Sequence, residues 1–230
     1  MLERLLGLDY RRRRLHAKCT EGPLQDYLAT PFPPTRSDCR ETTFIALDLE
    51  TSGLDPQHDT IISFGWVAMR GLAIDLSTAR HRVIRQQCAI PESSAVIHQI
   101  TDDQAATGYE LHDILSEFLP ILAGHVLIAH NAQIELGFLD TACRRLLGGR
   151  FIAPTVDTCY LARRWYDRRN RHFRSGDLRL ANVRTRYNLP QYRAHDALSD
   201  ALSCAELFAA QLAEHGVNGR LPLKAFLLPA

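Results

Sequence analysis

The chain predicts an α/β fold: a central mixed sheet with an antiparallel portion, flanked by helices. Two strand-like runs, Phe44–Glu50 and Thr60–Met69, are separated by the turn chemistry of Ser52-Gly53-Leu54-Asp55-Pro56, so the first two strands pair through a short hairpin-like connection. Beyond them strand-like and helix-like segments alternate, the pattern of strands covered by helices. At 230 residues, with 46% hydrophobic and 23% charged residues, the chain has the length and composition to bury one sizeable core.

The elements follow in order. Residues 1–40 read as a separate N-terminal extension with a basic cluster, Arg11-Arg12-Arg13-Arg14, a short helix around Pro23–Leu28 and the breaker Pro31-Phe32-Pro33-Pro34. Residues 41–215 form the main domain. It opens with Phe44–Glu50 and Thr60–Met69, the latter rich in Ile, Val and aromatics, and His81–Ile90 reads as a third strand. Leu111, Ile114, Leu115, Phe118 and Leu122 recur at helical spacing and predict a helix over 111–122. Val126-Leu127-Ile128-Ala129 is a short buried strand, and Ile134–Leu147 is an amphipathic helix ended by Gly148-Gly149. Val156–Leu161 starts a further strand or helix, and Leu178–Tyr187 and Ala197–Leu212 read as helices. Residues 216–230 form a C-terminal tail.

A net charge of +1 gives no global attraction to nucleic acid, so any basic binding surface is local. The six cysteines are scattered without a Cys-x-x-Cys pair, which argues against a structural zinc site and fits free thiols in a reducing compartment. The first residues lack an apolar signal core and no run reaches membrane-spanning length, so a cytoplasmic protein with no membrane partner is expected.

Chemistry concentrates in a few polar islands. Asp48 and Glu50 are two apart on a strand and project from one face, while Ile45, Leu47 and Leu49 line the other. Two carboxylates held that close repel unless a cation sits between them, and a hard divalent ion suits oxygen ligands. His130-Asn131-Ala132-Gln133-Ile134-Glu135 spans the handover from a buried strand to a helix, where Asn131 would cap and Glu135 would sit in the favourable first turn. His195-Asp196-Ala197-Leu198-Ser199-Asp200 opens the last long helix, with a histidine able to take a proton from water and an acid one turn further in. Ala95–Thr101 is a weaker island containing His98. Arg163, Arg164, Arg168, Arg169, Arg171 and Arg174 interleave with Trp165, Tyr166 and Phe173, residue types that track phosphates and stack on bases, or equally form a solvated helix face. Arg11–Arg14 would meet phosphates or an acidic partner, or remain a solvated face.

In order and spacing these islands resemble the DEDDh branch of the 3′–5′ exonucleases, related to the proofreading subunit of bacterial replicative DNA polymerase. Ala46-Leu47-Asp48-Leu49-Glu50-Thr51-Ser52-Gly53-Leu54-Asp55 resembles the first motif. His98-Gln99-Ile100-Thr101 resembles a His-Gly-Ile-Thr loop, with Gln99 in place of the glycine. His130-Asn131-Ala132 through Phe138-Leu139 resembles the second motif, and His195 with Asp200 the third. The resemblance covers roughly residues 43–213. It implies an RNase H-like fold and two-metal phosphodiester hydrolysis with two Mg²⁺ or Mn²⁺ ions per site. Asp48, Glu50, Asp200 and Glu135 would hold the ions, with Asp48 bridging, and His195 would be the general base. Thr51, Gly53, Leu54, His98, His130 and Asn131 would meet the substrate, with Leu54 wedged against the terminal base.

The substrate implied is a nucleic acid with a single-stranded 3′ end, DNA in preference to RNA, releasing nucleoside 5′-monophosphates. A polymerase or other protein would dock through the N-terminal extension. One position departs from the family: Glu135 stands where an aspartate is usual, moving the carboxylate about 1.5 Å outward. Retained activity, altered metal preference and reduced activity all follow from such a shift, and retained activity is the expectation because the charge is kept. The alternative is a catalytically weak nucleic-acid-binding or polymerase-associated module of the same fold.

Overall fold

The computed structural model describes residues 7–86, 107–192, 195–215 and 219–229. Helices α1 (Leu8–His16) and α2 (Pro23–Ala29) precede the strands β1 (Thr43–Thr51), β2 (Ile61–Arg70) and β3 (Ala73–Val83). Then come α3 (Leu111–Leu122), β4 (Val126–Ala129), α4 (Gln133–Leu146), β5 (Thr155–Asp157), α5 (Thr158–Arg168), α6 (Leu180–Arg186) and α7 (Ala197–Glu214). The five strands form one sheet in the order β3-β2-β1-β4-β5. β1–β2 and β2–β3 are antiparallel, whereas β1–β4 and β4–β5 are parallel, so the expected mixed sheet is present.

The alternation of β1 divides the interior in two. Ile45, Leu47 and Leu49 join Phe64, Trp66 and Leu127 beneath α2, α3 and α4. Phe44 and Ala46 join Val67, Ile128, Cys204, Phe208 and Leu212 beneath α7. Asp48 and Glu50 continue that second face, so the strand's own period brings both carboxylates to the end of the sheet on the α7 side.

The third strand begins earlier than the sequence suggests. β3 covers Ala73–Val83 rather than starting at His81, and residues 87–90 lie outside the described residues. As the sheet's edge strand, β3 is largely exposed, with Leu76 64% accessible, so it lacks the apolar run that marks a buried strand. Residues 156–161 prove to be both readings at once, the end of β5 followed by the first turn of α5.

The segment before β1 is packed into the body of the protein rather than separate from it. Leu24, Tyr27, Leu28 and Phe32 are buried in the same cluster as Phe118, Leu119 and Cys143. Tyr27 stacks on Phe151 at 5.6 Å and its hydroxyl donates to Ile152 O at 2.9 Å. Arg12, one of the four clustered arginines, is buried: it pairs with Asp9 at 2.7 Å and donates to the carbonyls of Leu28 and Ala29, so it is committed to closing α2 and not to phosphate. The C-terminal residues close the opposite face. Phe226 is buried against Phe208, Leu223 N donates to Ser37 O at 2.9 Å, and Leu228 N donates to Thr155 O at 2.8 Å. Proline within the front segment and weak periodicity in the tail hide this packing from the sequence.

Candidate active site

The carboxylates meet at the carboxyl ends of the central strands. One oxygen each from Asp48, Glu50 and Asp200 lies within 4.8 Å of the others. Asp48 and Glu50 come from β1 and Asp200 from the first turn of α7. That turn is built locally: Asp196 caps α7 by accepting from Ser199 N at 2.8 Å, and Asp200 accepts from the backbone N–H of His195 at 2.8 Å. His195 itself takes a left-handed backbone, φ +67°, which turns the chain sharply into the helix.

What lets α7 approach so closely is Gly65, which sits opposite Asp48 in the β1–β2 register. A Cβ at this position would fall inside the Ala197–Leu198 peptide. The glycine therefore sets the distance between the start of α7 and β1. It is absent from the residues that the sequence singles out, although a glycine within the apolar run of β2 is the signal of a close backbone approach.

The electrostatics record an excess of negative charge. Burial, then the charges of Glu135, Glu50 and Asp200, holds the Asp48 carboxyl well above the usual carboxylate range. Burial likewise raises Asp200 and pushes Glu135 up to about 8. Glu135, in the first turn of α4, is 3% exposed, and its Oε2 has no hydrogen-bond partner among the described residues. It stands close enough to raise Asp48 but outside the trio of Asp48, Glu50 and Asp200. A cluster of hard oxygen donors whose charged forms are disfavoured without a counter-charge fits a divalent cation.

These shifts set a pH dependence. Glu135 folded titrates near 8 against an ordinary 4.5, so between those values the folded protein holds a proton that the unfolded chain has lost. Its contribution to stability is fully present below about 4.5 and is lost as pH rises through about 8, with Asp48 and Asp200 acting in the same sense. In EDTA the melting temperature is expected to fall between pH 5 and 8. Added Mg²⁺ or Mn²⁺ is expected to raise it more at pH 8 than at pH 6, with proton release on binding. Thermal melts and calorimetry in two buffers check both; a metal response that is equal at the two pH values counts against the cluster as a cation site.

The second island is organised by a residue outside the motifs, Asp157 at the end of β5. It is 5% exposed and accepts four backbone hydrogen bonds: from Asn131 N at 3.0 Å, Ala132 N at 3.2 Å, Cys159 N at 2.9 Å and Tyr160 N at 3.2 Å. It thus caps α5 and pins the β4–α4 turn. Asn131, expected to cap α4, instead adopts φ +68°, a conformation asparagine tolerates, and no side-chain cap is made there. An aspartate directly before a helix start is the sequence signal that marks Asp157.

His130 has both ring nitrogens engaged, Nδ1 with Thr158 Oγ1 at 2.8 Å and Nε2 with Leu178 O at 2.8 Å. Burial lowers its pKa, so it is a neutral brace between β4 and the short 3₁₀ turn at Ser175–Leu178. The loop after β1 is pre-shaped: Thr51 Oγ1 donates to Gly53 O at 2.7 Å, and Asp59 accepts from Ser52 Oγ and Asp55 N. Gly53 presses on the Asp59 carboxylate where a Cβ has no room, and Leu54 stands 76% exposed at the tip. His98 and its loop lie outside the described residues.

A cavity of about 740 Å³ opens beside the carboxylates, with Asp48, Asp200 and His195 at one end and Phe173, Leu178, Arg179 and Tyr192 beyond. Its wall is held by Arg184, which is 2% exposed and donates to Ser203 O and Pro190 O at 2.6 Å and to Glu206 at 2.7 Å, while Tyr192 donates to Glu206 at 2.9 Å. Glu206→Ala, which leaves the Arg184 charge buried without its counter-ion, is expected to cost about 3 kcal/mol. Urea melts of the two proteins measure it, and a difference below about 0.5 kcal/mol would mean the carbonyls alone satisfy the arginine.

Comparison with known proteins agrees with this arrangement. The family model described as Exonuclease matches residues 45–208. The DNA polymerase III subunit epsilon of Treponema pallidum is 33% identical over 174 residues, covering 75% of this chain and 77% of that protein. The DNA polymerase III PolC-type protein of Thermotoga maritima is 32% identical over 168 residues, of which this chain spans 12% of the length. Among solved structures, the nuclease domain of 3′hExo, a DEDDh family member bound to rAMP, superposes with a TM-score of 0.65 at 15% identity, covering 80% of this chain and all of that one. A structure of exonuclease I gives 0.64 at 15% identity, covering 77% and 42%. These likenesses establish the RNase H-like fold, and with a matching model across 164 residues (45 to 208) the chain belongs to the exonuclease family.

Proposed function

We propose that this chain is a metal-dependent 3′–5′ exonuclease that cuts the terminal phosphodiester bond at a single-stranded 3′ end and releases nucleoside 5′-monophosphates. The observation that carries this reading is the convergence of Asp48, Glu50 and Asp200 within 4.8 Å at the mouth of a cavity also lined by His195. Asp48, Glu50 and Asp200 would hold two Mg²⁺ or Mn²⁺ ions, with the buried Glu135 close by. When bound, such ions lower the pKa of an attacking water and stabilise charge on the phosphate and leaving oxygens.

The chain's own residues do the rest. His195, on a sharp turn whose backbone is tied to Asp200, takes the proton from the water as it attacks. The pre-shaped Thr51–Leu54 loop orients the terminal nucleotide, with Gly53 giving close backbone approach and exposed Leu54 contacting the base. His130 and Asn131 shape the floor. His195→Ala is expected to lower kcat by about 10²- to 10⁴-fold with a smaller change in KM. Steady-state kinetics on a 3′-tailed oligonucleotide check this; a variant with native kcat would exclude His195 as the base.

DNA as the preferred substrate, and a replicative polymerase as partner, are supported by relatives named as DNA polymerase III components. A cytoplasmic setting is supported by the free thiols Cys19, Cys39, Cys143, Cys159 and Cys204 and by the lack, among the described residues, of any helix long and apolar enough to cross a membrane. A second reading, a weakly active accessory module, is favoured by one observation: Glu135 stands outside the carboxylate trio. Glu135→Asp discriminates. Activity unchanged or lowered supports the enzyme, whereas activity appearing only in the variant supports the accessory module.

A further inference from the structure

We propose that the strand upstream of the scissile phosphate leaves the carboxylates across Phe173 and follows the Asn170–Phe173 turn, with its phosphates held by Arg171 and Arg179. This rests on the exonuclease reading above and adds a path for its single-stranded substrate. The cavity beside Asp48 does not end at the reacting centre. It continues over an apolar floor of Leu178, Leu180 and Ala181 to Phe173. Phe173 also lines a second hollow, of about 310 Å³, formed with Asp167, Asn170, Arg171 and His172. Phe173 thus borders both hollows, and a strand that crosses this ring would run from the carboxylates to the turn after α5.

The ring is supported from behind: Phe173 packs on Tyr166 with centroids 5.3 Å apart, and Tyr166 on Trp165 at 5.1 Å. The basic–aromatic segment divides into two halves of different character. Arg169 and Arg186 lie 4.3 and 4.1 Å from the Trp165 ring, Trp165 Nε1 donates to Glu214 at 2.6 Å, and Arg169 pairs with Glu214 at 3.2 Å. That half closes on itself. Arg171, at a looser 5.5 Å from the same ring, and Arg179 are exposed along these hollows, and the ion pairs among the described residues do not include them. Asp167 is the opposing charge in the second hollow. An aromatic ring flanked by two arginines on an apolar floor suits a chain that carries one base and one phosphate per step.

The test compares substrates of increasing length: the p-nitrophenyl ester of thymidine 5′-monophosphate, then oligo-dT of two, four and twelve residues, all with Mn²⁺. For the native protein KM is expected to fall with length. In Phe173→Ala that fall should shrink by roughly five- to a hundredfold, the range for losing one stacked base. In Arg171→Glu and Arg179→Glu the slope of log KM against log salt on the twelve-residue substrate should weaken by about 0.7 for each phosphate no longer neutralised. Native length dependence and salt slope in all three variants overturns the path, as does equal loss on the ester and the twelve-residue substrate. Competition by polyglutamate as effective as that by oligo-dT overturns it in favour of an acidic peptide. A native protein inactive on every substrate instead defeats the exonuclease reading itself and the path with it.

Discussion

Asp48→Asn is expected to abolish hydrolysis at the 3′ end, by about a thousandfold or more, while the protein stays folded. The expectation follows from where the side chain stands. Asp48 belongs to the central strand of the sheet and feels the charges of Glu135, Glu50, Asp200 and Asp196, so its charge is tied to every other acid of the cluster. Replacing it by its neutral isostere keeps the packing and removes a charge that a divalent ion needs, and each tenfold in rate corresponds to about 1.4 kcal/mol of transition-state stabilisation. Relief of like-charge crowding should raise the melting temperature of the metal-free variant at pH 8 and reduce its response to Mn²⁺. Single-turnover kinetics and melts with and without Mn²⁺ measure the two effects. A variant that retains a tenth or more of native activity would remove Asp48 from the mechanism.

Gly65→Ala is expected to lower stability and activity together. The added methyl meets the Ala197–Leu198 backbone, which cannot swing aside as a side chain would. Overpacking of this kind costs about 3 kcal/mol or more, since relief requires the start of α7 to move off the sheet. That start carries both His195 and Asp200, and a displacement near 1 Å at reacting groups lowers rates by about a hundredfold. Stability and activity should therefore fall together, with activity depressed even where the variant is fully folded. Gly176→Ala, where the new methyl meets nothing, is the control. Native kinetics in folded Gly65→Ala would show that α7 is positioned by other means.

The fold is legible in the sequence where periodicity is strong. α3 occupies the span that Leu111, Ile114, Leu115, Phe118 and Leu122 predict, and β4 is the buried run Val126–Ala129. The pairing of Asp48 with Glu50 on one face follows from strand alternation alone. The start of β3 is hidden because an exposed edge strand has no apolar signature. The packed front and C-terminal segments are hidden because their partners are distant in the chain: Tyr27 bonds to Ile152, and Leu223 to Ser37. The candidate site is legible through Asp48, Glu50, His195 and Asp200, which the fold brings to one end of the sheet. Its supports are not. Gly65, Asp157 and Arg184 act through backbone approach, backbone capping and a buried ion pair, and such roles depend on partners far away in the chain. Glu135 stands out in the sequence for its extra methylene, and its burial beside but outside the carboxylate trio makes it the natural target for tuning the site.

The most direct measurement is the product analysis of a 5′-labelled single-stranded oligonucleotide incubated with the purified protein and Mg²⁺ or Mn²⁺. The expected result is a ladder shortening one nucleotide at a time from the 3′ end, with nucleoside 5′-monophosphates released, abolished by EDTA and by Asp48→Asn. Labelled product that appears as a mononucleotide at the first time point, internal cuts, or cleavage that persists in EDTA would contradict a metal-dependent 3′–5′ exonuclease.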